Sequence, residues 1–329
     1  MKPGFAAAVW LATAMVSAGQ AWGWGETALL GPLKTRNHHP LFTGLLHPAP
    51  EGVKIAVDTA WEAGINHSSV FAMGANRDFY IHMDKELTEL DISFRTPVWQ
   101  GRVEVGMEAA AFVSRGGFLD PLVRNYHSLI GVPGYDWQDH FPDNFYVDKL
   151  YLRQAIFRLG HQDRVEPGDA TFWVKAPAWS RGEWSTSVQL FLQAPTGSAE
   201  AGVGSGFWEF GGRILAQVEY PGLGGYASLG VYFPGELKGM DGSIGLDPVV
   251  SAFLGFEWPL WNGWSFLAQL VGSSSPMPRE PGEFFNQPWL DGEVGFKKAA
   301  GKGRVYGIGL SENLNQTAPD FTIHASFSM

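Results

Sequence analysis

The residues best placed to do chemistry in this sequence are carboxylates and bases repeated at two-residue spacing. Arg102, Glu104 and Glu108 alternate with Val103, Val105 and Met107, and Glu209, Arg213 and Glu219 sit among Trp208, Phe210, Ile214 and Val218. Asp58 and Glu62 keep the same spacing relation, as do Asp291 and Glu293. In an extended strand, side chains two apart share a face. Each set therefore places charge on one side of a strand and oil on the other. With Lys54, Lys175, Glu257 and Lys297 added, the polar side leans acidic. Two readings fit. One is a path lined by carboxylates for cations or polar solutes; the other is a structural interior in which acids and bases pair across strands.

A second charged set precedes these strands. Residues 26–50 carry Lys34, Arg36, His38, His39 and His47 between prolines. A cationic segment beside an acidic interior can fold inward as a plug held by carboxylates such as Asp58 and Glu104. It can equally form a loose periplasmic lead.

Catalytic and metal chemistry find little support. Asn66-His67-Ser68 has residue types used by lipases, which need a hydroxyl and an imidazole in mutual reach, but neighbours on a strand point to opposite faces. His38-His39 lacks carboxylates at ligand spacing, and His161 and Asp163 are isolated. Pro195 to Gly206 lacks the Gly-Lys-Ser/Thr of a phosphate loop. We assign no catalytic residue, metal or cofactor. The sequence has no cysteine, which removes disulfides and thiolate sites, and its net charge of -10 argues against a nucleic-acid partner.

Alternation of this kind recurs twelve times, at 53–66, 78–94, 101–114, 169–178, 184–194, 206–220, 225–234, 248–259, 263–273, 287–297, 303–312 and 319–329. About ten tilted residues cross a bilayer, and a sheet can span lipid only by closing on itself. The expected fold is all-β: a transmembrane, antiparallel, up-and-down barrel occupying 53–329. Short connections alternate with longer ones, as periplasmic turns alternate with outer loops. Trp99, Trp179, Trp184, Tyr220, Tyr226, Trp258, Trp261, Trp264 and Tyr306 lie by the short turns as an inner aromatic girdle. The oily parity shifts between Ile81 and Leu90, which predicts a bulge near Glu86 to Glu89.

Residues 115–168 form a long extracellular insertion, with a short helix predicted from an Asp120 N-cap and Pro121 through Leu129. Phe145 to Phe157 reads as a hairpin above the membrane; if it spanned, the strand count would be fourteen. Lys2, the apolar stretch from Phe5 to Val16 and the small residues after it read as a signal peptide, 1–21, cleaved near Ala21 or Gly23. The location implied is the outer membrane of a Gram-negative bacterium, with outer-membrane lipid as a partner and the strand 319–329 as the contact for the barrel-assembly machinery.

Gly31 to Phe42, Gly117-Phe118-Leu119-Asp120 with Tyr126-His127, and Pro195-Thr196-Gly197 with Gly204-Ser205-Gly206 together resemble the bacterial outer-membrane proteins grouped as domain of unknown function 3187. The resemblance covers almost the whole mature chain. It implies an outer-membrane barrel and supplies no substrate or catalytic residue. The expected function is a channel or plugged transporter for small polar or amphipathic solutes. The alternative is a closed barrel acting as a surface scaffold, adhesin or receptor through 115–168, which inward Phe191, Tyr232 and Phe253 would favour.

Overall fold

The computed structural model describes residues 29–329 apart from 40–41, 76–78, 118, 120, 122–124, 126–145, 148, 153–154, 159–161, 239–241, 278–286 and 316–320. The expected signal peptide lies outside the described residues. Twelve antiparallel strands close into a barrel: β1 (Ala60–Ala75), β2 (Phe79–Val98), β3 (Val103–Arg115), β8 (Ala170–Arg181), β9 (Trp184–Ala194), β10 (Glu209–Tyr220), β11 (Leu223–Phe233), β14 (Val249–Pro259), β15 (Trp264–Ser273), β16 (Trp289–Ala299), β17 (Val305–Asn313) and β18 (Phe321–Ser328). Closure is made by β18 on β1, in a register running from Glu62 opposite Ser328 to Ser69 opposite Phe321.

The exterior is the inverse of a soluble surface. Ile65, Leu90, Ile92, Val174, Leu190, Phe210, Ile214, Leu229, Leu254 and Ile308 are exposed, while Glu62, Glu89, Glu104, Lys175, Gln189, Glu209, Gln217, Glu257 and Glu293 are buried. Such a distribution is stable only when the outside solvent is lipid. The protein is an outer-membrane barrel.

Short turns join the strands at the end where both barrel termini lie. Pro221 and Gly222 alone link Tyr220 to Leu223, with Gly222 at φ 78°; proline followed by a left-handed glycine is the signature of a type II turn. Trp99, Trp179, Trp184, Tyr220, Trp261, Trp264 and Tyr306 are exposed at this end. Tyr226 departs from the expected girdle: it is buried, and its hydroxyl donates to Glu257 Oε2 at 2.6 Å.

Two further expectations are corrected. No bulge interrupts β2 near Glu86, since its register is continuous with β1 from Ala60–Arg95 to Ala75–Tyr80; a register shift within a strand pair falls instead at Pro177/Trp179. The polar run has another cause. Glu86 faces outward, where it accepts the Leu119 amide and bonds His67 Nε2 at 2.7 Å, so parity persists while lipid contact is replaced by protein. The first strand starts at Ala60 rather than 53, which leaves Asp58 exposed outside the sheet.

The insertion adds no spanning strands among its described residues. β4 (Tyr146–Val147), β5 (Lys149–Leu152) and β6 (Ala155–Arg158) sit on the Phe79–Asp84 end of β2, beyond its pairing with β3. β7 (Val165–Pro167) continues the β8 edge along β3. Pro121 and Asn125 are helical; Asp120 and Leu129 lie outside the described residues. A small hairpin, β12 (Glu236–Lys238) with β13 (Ser243–Gly245), completes the outer loops.

Candidate functional site in the barrel interior

The described residues of 29–56 run inside the barrel, with Lys54 exposed at its short-turn end, and 57–59 lie exposed where the chain enters β1. The chain passes Glu257 near the short-turn end, climbs to a tight turn at Phe42–Leu45 beneath the outer loops, and descends to enter β1. The segment's described residues form no strand, so their amides and carbonyls need partners from the wall. Glu257 accepts from the Leu30 and Gly31 amides at 2.7 and 3.0 Å. Glu209 accepts from the Leu46 amide, Gln217 from Val53 at 3.1 Å and Glu104 from Ala56 at 2.8 Å. Lys297 donates to the Pro32 carbonyl at 2.7 Å, Gln193 to Gly44 at 3.1 Å and Arg213 to Ala49 at 2.7 Å.

The cations of the segment meet the acids of the wall. Lys34 pairs with Glu62 at 2.7 Å and with Glu51 of its own segment at 3.3 Å. Arg36 pairs with Glu108 and lies 3.8 Å from Glu89. His38 bonds Ser68 through Nδ1 at 2.6 Å and Glu89 through Nε2 at 2.8 Å. The bonds continue from Glu89 to Asn66 at 3.0 Å and on to His324 at 2.8 Å. His39 is buried against Phe42, with ring centroids 5.4 Å apart. Thr35 donates to Glu293.

The remaining charges named from sequence sort by height. Glu104 holds Lys175 at 3.0 Å, and Asp291 is buried on β16, two residues from Glu293. Glu219 is half-buried near the short-turn end, 2.8 Å from exposed Lys54. Arg102 is a correction: it lies exposed in the Trp99–Arg102 turn rather than in the interior, because the strand begins one residue later. Asn66 and Ser68 point inward while His67 points out to Thr88 and Glu86, so strand parity separates the hydroxyl from the imidazole.

Sequence reasoning missed Glu51, Glu89 and Gln269. Glu89 was hidden by the expected bulge. Glu51 falls between the cationic 26–50 segment and the first expected strand, yet it collects Lys34, Arg95 at 3.2 Å and Lys175 at 3.8 Å. Gln269 shares the inward spacing of Ser265 and Ser273 and is uncharged, so a search for charge passed over it.

The outer end of the interior is apolar. Phe42 and Leu45 join Val70, Leu87, Phe112, Phe253 and Trp289 from the wall and Ala201, Val203, Leu237, Ile244 and Met277 from the loops. Phe191 and Tyr232 pack with Leu46, Trp173 and Val249. Above them Asp169 organises the 195–206 loop: it accepts from the Gly197 amide at 2.6 Å, the Ser205 amide at 2.9 Å and Gln193 at 3.2 Å. Burial raises the Asp169 pKa above its ordinary value, with these hydrogen bonds opposing the rise.

The sequence matches the family described as "Protein of unknown function (DUF3187)" over residues 8–329. The chain belongs to this family. Among solved structures it is similar to the COG4313 outer membrane channel from Pseudomonas putida F1, at 13% identity and TM-score 0.57, covering 86% of this chain and 99% of that one. It also matches the NanC porin at 8% identity and TM-score 0.44, covering 82% and 97%, and the KdgM porin in complex with disordered oligogalacturonate at 6% identity and TM-score 0.43, covering 82% and 97%. No curated protein matches. At such identity the first likeness is one of fold, and it agrees with the closed barrel described above.

Proposed function

We propose that the protein is a plugged outer-membrane channel for small polar or amphipathic solutes, with residues 29–56 as the plug. One observation carries this reading: a segment whose described residues form no strand occupies the interior and is held there by ion pairs and hydrogen bonds, which can be exchanged, rather than by sheet pairing, which cannot be broken without opening the barrel. Of the acids expected to give cation preference, Glu62, Glu104, Glu108 and Glu293 are engaged by the segment or by Lys175. Selectivity is therefore a property of the unplugged state. Strand β18 pairs on both sides, with β1 and β17, and we assign it the contact with the barrel-assembly machinery.

The test is single-channel conductance of refolded protein in planar bilayers, comparing the full mature chain with a variant lacking residues 28–46. A larger, longer-lived open current in the shortened chain supports the plug; equal currents overturn it. A second reading, a closed barrel serving as a surface scaffold or receptor through 115–168, is favoured by the apolar packing of Phe253 and Trp289 under the outer loops. Silence of both proteins in the bilayer would favour it.

A further inference from the structure

We propose that the wall of β14, β15, β16 and β17 is a binding site for short extended peptides that carry an aliphatic side chain, and that residues 30–33 occupy it in the structure. The proposal rests on the plug reading, and names the class of ligand that the vacated interior would take. Four consecutive residues of the segment are bound through their main chain alone. Glu257 accepts the amides of Leu30 and Gly31 at 2.7 and 3.0 Å. Lys297 donates to the carbonyl of Pro32 at 2.7 Å. Gln269 accepts the Leu33 amide and donates to the Leu33 carbonyl, both at 3.0 Å. A primary amide that both gives and takes at one residue reproduces what a neighbouring strand would do. These bonds are blind to side-chain identity, as in recognition of extended peptides by strand addition.

Specificity comes from a pocket made by missing side chains. Leu33 is completely buried. A Cβ on Gly295 would stand 2.9 Å from Leu33 Cδ1, and one on Gly309 3.0 Å. Two adjacent strands thus leave a hollow that an aliphatic side chain fills. Four residues earlier Leu29 fills a second hollow, its Cδ1 2.6 Å from where a Gly224 Cβ would be. Polar solutes such as sugars can offer hydroxyl donors and acceptors to Glu257, Gln269 and Lys297 but carry no aliphatic side chain to fill the hollow beside them.

The experiment uses the full mature chain carrying Leu33→Ser together with Lys34→Ala and Arg36→Ala, which removes the occupant's own anchor from the hollow and loosens the segment without changing a residue of the peptide-binding wall. Added from the periplasmic side are the hexapeptide matching residues 29–34, its analogue with serine in place of the residue matching Leu33, its analogue with an ester replacing that residue's amide, and an unrelated aliphatic hexapeptide. The expected result is current block by both unmodified aliphatic peptides within about tenfold of each other, weakened at least tenfold by serine or ester. Equal block by all four, or block by the matching sequence alone, overturns the proposal. Should that variant not fold, the single variant Leu33→Ser in detergent is photo-crosslinked to the hexapeptide bearing a diazirine leucine; label mapping to 295 and 309 supports the site, and no label there overturns it. Conductance without peptide discrimination sinks this inference and spares the channel; labelling without any current does the reverse.

Discussion

Gly44, at the tip of the inner segment, lies against the main chain of Gly204 in the outer loop: a Cβ on Gly44 would stand 2.8 Å from Gly204 C and N. The Gly-Ser-Gly stretch thus meets the inner segment through Gly204. The contact is backbone on backbone, so a flexible side chain cannot relieve added bulk. Gly44→Ala is expected to cost about 1–3 kcal/mol, the usual range for overpacking, and to lift the 195–206 loop. Limited proteolysis from outside should cut that loop faster in the variant; an unchanged rate would refute the contact.

Asp169 provides the other fastening of this loop. Asp169→Ala removes the acceptor from the half-buried amide of Gly197 and from the amide of buried Ser205, at about 1–3 kcal/mol for the more enclosed of the two, and should accelerate the same cut. The pH dependence has a definite sign. Because the folded-state pKa is raised, protonation favours the folded loop as pH falls toward that value. Mild acid should not loosen the loop through Asp169, and proteolysis at pH 5 and pH 7 tests this.

Lys34→Ala with Arg36→Ala removes the ion pairs to Glu62 and Glu108 while leaving the main-chain bonds of the segment in place. Breaking pairs this enclosed leaves carboxylates in a site of low dielectric, costing about 3–5 kcal/mol. The prediction is a rise in open probability of at least tenfold over the wild type in planar bilayers.

Ion selectivity should depend on that background. Glu104→Gln with Glu108→Gln is expected to leave reversal potentials unchanged in the wild type, whose acids are already paired, and to reduce cation preference when Lys34 and Arg36 are also alanine. Reversal potentials under a salt gradient measure both, and a selectivity change in the plugged chain would contradict the pairing.

The exterior offers a test of the barrel itself. Ile92 is more than half exposed, so in water Ile92→Lys would be nearly neutral. Facing lipid, it should cost about 2–4 kcal/mol near the midplane. Equilibrium unfolding in phospholipid vesicles gives the value, and a cost below about 0.5 kcal/mol would place that face in water.

Strand number, order and inward or outward parity were legible because one physical rule governs them: lipid outside and polar groups inside force period-two alternation wherever a strand crosses. Trp184–Ala194 has the same bounds in sequence and structure. The rule fails above the bilayer. Glu86 and Thr88 face outward among protein rather than lipid, so their polarity mimicked a bulge. It fails also below β1, where the alternation of residues 53–59 belongs to the returning inner segment rather than to a strand.

The amino-acid order alone determined that a closed, oil-faced cylinder must form, since alternation is local and every crossing strand carries its own copy of it. Which wall residue meets which residue of the inner segment was decided only in three dimensions. Glu257 binds Leu30 across 227 positions and Gln269 binds Leu33 across 236; no spacing in the chain encodes such a pairing. It arises because a segment whose described residues form no strand must satisfy its amides and carbonyls from whatever side chains closure has brought within reach.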